Sequence, residues 1–154
     1  MSTVILEKVL RDRGIKYKQH HLGVLYAEAA ENDGLPADII FSDMLNGLLL
    51  VSANLPFEIN PARTEVMTAA ACTLNAASEF GCFYISPGRQ IMEFRGYTPC
   101  RADCGDDVRE QAAEYLVGKT LGALSAVTEL LRGLCDGEYG IAAFDRAVRD
   151  LSRA

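Results

Sequence analysis

The run "IIFSDMLNGLLLVSANLPF", residues 39–57, constrains the fold more than any other part of the chain. Asn46-Gly47 stands between two apolar stretches. That dipeptide suits the positive φ angles of a type I′ turn, which joins two antiparallel strands with the correct twist. Strands are therefore expected at about 37–45 and 48–55. The preceding "ENDGLPAD" reads as a turn, because Asn-Asp-Gly tolerates positive φ and Pro36 blocks pairing.

A second hairpin is written in "EFGCFYISPGRQIMEFRGY", residues 79–97. Gly81 to Ser86 and Gln90 to Tyr97 read as strands around a Pro-Gly-Arg turn. Phe83 and Ile85 share one face, Cys82 and Tyr84 the other. Met92, Phe94 and Gly96 alternate with Ile91, Glu93, Arg95 and Tyr97. Aromatic, alternating strands suit an antiparallel sheet covered on one side. A fifth strand is expected after Ile15, where "IKYKQHHL" alternates apolar and polar residues.

The remaining segments carry helical periodicity. Residues 2–13 place Ile5, Leu6, Val9 and Leu10 on one stripe, with Ser2 or Thr3 to cap it and Gly14 to end it. Asn60-Pro61 opens a helix over 61–79, since Asn is a favoured N-cap and Pro suits the first helical turn. Its inner face holds Val66, Met67, Ala70, Leu74 and Ala77. Residues 106–135 form a long helix with Asp106, Asp107 and Glu110 at its positive end. Its apolar positions are Val108, Ala112, Tyr115, Leu116, Leu124, Val127, Leu131 and Leu134. Residues 138–152 form a short last helix around Ile141, Phe144 and Val148. The order α-β-β-β-α-β-β-α-α predicts an α+β fold with an antiparallel five-stranded sheet and segregated helices. A chain of 154 residues, 49% hydrophobic and without a linker, is expected to form a single domain over 1–154.

Charge and motifs narrow the function. The net charge of −6 speaks against nucleic acid as a partner, which needs a basic surface. Residues 26–79 carry Arg63 as their one cation against eight acids, a block best read as a solvated face. No apolar run is long enough to span a membrane, and the start lacks a signal-peptide pattern, so a cytoplasmic protein with five reduced cysteines is expected. Cys100 and Cys104 are the one close thiol pair, without the second pair or downstream histidines of a zinc site. His20 and His21 are adjacent, and neighbours on a strand point to opposite faces, which disfavours a shared metal. Nucleophile-elbow, P-loop, dinucleotide and zinc-protease motifs are missing. No cofactor and no catalytic residue is assigned, and the chain is read as a non-enzyme.

"LNAASEFGCFYISPGRQIMEFRGY", followed by the long acidic-start helix ending in "LLRGLCDG", resembles the YbjN-like family of bacterial sensory transduction regulators. Leu74, Asn75, Gly81, Phe83, Phe94 and Arg95 carry the resemblance. It implies a fold like that of type III secretion chaperones, and a homodimer that binds a partner protein. Met67, Ala70, Leu74, Ala77 and Arg95 are the expected partner or dimer contacts, although the helical four also suit packing on the chain's own sheet. The alternative is a small-molecule-sensing module with its site between the sheet and the long helix.

Overall fold

The computed structural model describes residues 3–44 and 47–154. Helix α1 (Val4–Asp12) precedes strands β1 (Lys18–His21), β2 (Val24–Ala27), β3 (Asp38–Met44) and β4 (Leu48–Glu58). Helix α2 (Thr64–Ala77) leads to strands β5 (Cys82–Ser86) and β6 (Ile91–Pro99), and helices α3 (Asp106–Cys135) and α4 (Ile141–Arg153) complete the order. Six antiparallel strands make one sheet in the order β1-β2-β3-β4-β6-β5. The expected five-stranded sheet is thus corrected to six. The segment after Ile15 is not one strand but the hairpin β1–β2, turning at Leu22 and Gly23, where Gly23 has φ +82°.

The two hairpins read from the sequence are present. Met44 pairs with Leu48, and Ser86 pairs with Ile91 across the turn Pro87–Gln90. The type I′ turn expected at Asn46-Gly47 lies outside the described residues, as does the capping role offered for Ser2. Thr3 stands at the N-cap of α1 without a side-chain bond to it. Asn60 caps as expected, its Oδ1 accepting from the Ala62 amide at 3.0 Å, but the first turn is 3₁₀ and α2 proper begins at Thr64.

Alternation decides which face of the sheet is covered. Phe41, Val51, Ala53, Met92 and Phe94 point inward and are fully buried against Leu116, Val117, Leu124 and Leu131 of α3. Helix α3 lies across β4 and β6, α2 packs on β5 and α4, and α1 packs on α3. Lys8 pairs with Glu110, and Arg13 binds Glu114 through two nitrogens at 3.0 and 3.1 Å, so the first helix is docked to the third. Asp43, at the sheet end, meets Arg109 at 3.5 Å and fastens the first turn of α3. Val108 and Tyr115 were expected on the apolar stripe of α3, yet they are about half exposed. The stripe is set by Ala113, Leu116, Val117, Thr120 and Leu124 instead.

Two glycines are required by close approaches. A Cβ on Gly81, where φ is +72°, would lie 2.4 Å from the Phe94 ring. A Cβ on Gly96 would lie 2.6 Å from the Phe80 ring, which packs edge-on against Tyr115. No helix among the described residues is long and apolar enough to cross a membrane.

Candidate functional site

With every helix on one side, the other face of the sheet is uncovered. Its rows follow from the register. Tyr26, Ile40, Ser52, Arg95 and Cys82 lie side by side across the strands. Val24, Ser42, Leu50 and Tyr97 form the next row, and Met44, Leu48 and Pro99 the one beyond. On the other side lie Asp38, Asn54, Glu93 and Tyr84. Ile40, Met44 and Tyr97 are 39%, 40% and 63% exposed, so large apolar side chains here have no cover. The uncovered face thus has a mostly apolar centre with charges at one margin.

The charged margin is ordered. Glu93 is buried on this nominally open face, taking a hydrogen bond from the Tyr84 hydroxyl and an ion pair from Arg89 at 3.4 Å. Burial raises the Glu93 carboxyl. Hydrogen bonds from Tyr84 and Ser86, with the charges of Arg95 and Arg89, outweigh it and hold the group below its ordinary 4.5. Tyr84 is pushed up to about 12, first by burial and then by its bond to the Glu93 carboxylate. The Arg95 guanidinium lies over the Tyr84 ring, 5.4 Å from its centre.

The five expected contact residues are not brought together. Met67, Ala70 and Leu74 pack inside the chain's own core, exposed by 4% or less, and present nothing to a partner. Ala77 is exposed at the rim of a groove of about 730 Å³ between the end of α2, the middle of α3 and Leu151 of α4. Only Arg95 lies on the uncovered sheet face. The sequence reading missed Ile40, which sits inside a continuous apolar run, and Glu93, whose burial depends on Tyr84 and Arg89 across the hairpin.

Asn75, one of the residues that carry the family resemblance, has a structural role on the sheet edge. Its side chain accepts from the Phe83 amide at 2.7 Å and donates to the Phe83 carbonyl at 2.8 Å. It therefore occupies the outward-facing backbone of β5, an edge strand. The opposite edge, β1, is four exposed residues with a bulge, a poor template for an added strand. The uncovered face, rather than an edge, is the larger accessible feature of the sheet.

The sheet–α3 interface reserved for a small molecule is filled by buried side chains. Cys100 is buried, and its amide donates to the Gly47 carbonyl at 2.7 Å, while Cys104 is partly exposed and both are free thiols. The described residues contain no group of three or more His, Cys, Asp or Glu placed to hold a metal ion.

No family model matches the chain, and no curated protein matches it. Among solved structures, the chain is similar to the crystal structure of YbjN, a candidate transcription regulator from E. coli. The superposition has a TM-score of 0.59 with 14% identity, covering 86% of this chain and 91% of that one. At that identity the likeness is one of fold: the chain has a YbjN-like α+β architecture.

Proposed function

We propose that the protein is a non-enzymatic regulatory interaction domain that works as a homodimer, with the uncovered sheet face as the surface that a second copy covers. The observation that carries this reading is the apolar centre formed by Ile40, Met44, Leu50 and Tyr97 on an otherwise helix-covered sheet. Six strands spaced ~4.8 Å apart, each contributing about 20 Å of length, give a face of roughly 600 Å². Two such faces bury roughly 1,200 Å², the lower end of the range for stable, specific interfaces. Sheets pack face to face at about 10 Å, a spacing that medium-sized apolar side chains fill. Asp38 and Arg95 stand on opposite sides of β4, so a two-fold arrangement offers each a partner of opposite sign.

The fold shared with a candidate transcription regulator supports a regulatory role. With a net charge of −6, regulation by contact with a partner polypeptide fits better than contact with nucleic acid. A secretion-chaperone-like use of the dimer, holding such a polypeptide, belongs to the same proposal, as does a cytoplasmic location.

The test is light scattering on a sizing column over a concentration series. The wild type is expected to run as a dimer at high micromolar concentration. Ile40→Lys and Tyr97→Lys, both at exposed positions, should give folded monomers. A wild-type monomer throughout that range would end the proposal, as would dimers unaffected by either substitution.

A further inference from the structure

The two histidines do not splay as a regular strand would place them. Pairing runs Gln19 to Leu25 and then His21 to Val24, so β1 advances two residues where β2 advances one. His20 is the extra residue of a β-bulge, which breaks the alternation and re-aims side chains. The two imidazole centres lie 4.3 Å apart with the rings tilted by 52°. Both residues are exposed, and among the described residues neither ring is engaged by a hydrogen bond. On the same strand the Lys18 ammonium is paired with Glu28 at 3.3 Å and Glu31 at 2.9 Å.

We propose that His20 and His21 form a two-imidazole chelate for a divalent transition metal of tetragonal preference, copper(II) or nickel(II), with water in the remaining positions. The spacing lets both rings reach one ion. A metal ~2 Å from one nitrogen of each ring lies about 3 Å from each ring centre, so two cis imidazoles near 90° have centres about 4.5 Å apart. Imidazole is a suitable ligand for both ions, and copper(II) stands at the top of the divalent affinity order.

The chain contains only these two histidines, which makes the test sharp. Tag-free protein is applied to nickel(II)-charged iminodiacetate resin, with exposed thiols alkylated beforehand, and eluted with imidazole. Wild type is expected to be retained at neutral pH and released by imidazole or by a chelator. His20→Ala and His21→Ala should each lose retention almost completely, because a chelate owes its affinity to the second ligand's high effective concentration. In solution, nickel(II) should bind wild type at one ion per chain, at least about tenfold tighter than either variant. Single variants retained like wild type would assign binding to other groups and overturn the proposal. Single variants each keeping half the affinity would show two independent ligands and would equally overturn it. Both positions are exposed on an edge strand, and circular dichroism of the variants verifies that loss of binding is not loss of fold.

Discussion

Replacing Asn75 by alanine removes both hydrogen bonds that cover the Phe83 backbone on the outer side of β5. Each is a part-buried bond between neutral groups, with a net worth of about 1 kcal/mol. The loss is therefore about 2 kcal/mol, offset by ~0.5 kcal/mol because alanine is the better residue inside a helix. The expected destabilisation is about 1.5 kcal/mol. With a urea m-value of about 2 kcal/mol/M for a chain of this size, the unfolding midpoint should fall by roughly 0.7 M. Hydrogen exchange localises the effect: the Phe83 amide should lose protection beyond the global change, while amides of the central strand β4 follow the global stability alone. A midpoint unchanged within error, or a Phe83 amide that exchanges no faster relative to β4, would refute the capping argument. The unblocked edge should also raise the tendency to aggregate during refolding, since edge strands template pairing with other chains.

Gly81→Ala should be costlier. It forces a side chain into a backbone of φ +72° and places the Cβ within 2.7 Å of both the Phe94 ring and the Arg95 carbonyl. Left-handed strain and overpacking together cost about 3 kcal/mol, a fall of roughly 6–12 °C in Tm on thermal unfolding. Glu93 titrates below its ordinary value in the folded state, so its contribution is present above the unfolded value of 4.5 and is lost as pH falls through the folded one. Glu93→Gln should therefore flatten the acid limb of the stability–pH curve. Tyr84, raised to about 12, has the opposite sign: its contribution is complete below pH 10 and is lost as pH rises from 10 towards 12. Tyr84→Phe should remove that alkaline loss, measured by urea unfolding at pH 9 to 11.5.

The parts of the fold legible in the sequence were those where one periodicity ran without interruption. The thirty residues of α3 came with their ends marked by acids and by Gly137. The β5–β6 hairpin was readable because Phe83, Ile85, Met92 and Phe94 fall in phase. The β1–β2 hairpin was hidden because its turn, Leu22-Gly23, carries one weak signal, and the bulge at His20 disrupts the alternation on which strand reading depends. The surface was less legible than the core. Ile40 has apolar neighbours on both sides, so nothing local shows that it faces out. Tyr115 falls close to the core stripe of α3 yet ends at the rim of the α2–α3–α4 groove. For Asn75 the pattern offered a residue but no reason, since its partner is a backbone eight positions away that becomes an edge only when β6 pairs on the other side.

The docking of α1 on α3 has a consequence for how the chain is made. The contacts of Lys8 with Glu110 and of Arg13 with Glu114 join residues 102 and 101 positions apart. A ribosome adding some 5–20 residues per second needs about 5–20 s to cover that interval. Throughout it, Leu6, Val9 and Leu10, later fully buried, have no lasting partner. A nine-residue helix is too short to persist alone, so this segment gains lasting structure only once α3 has emerged.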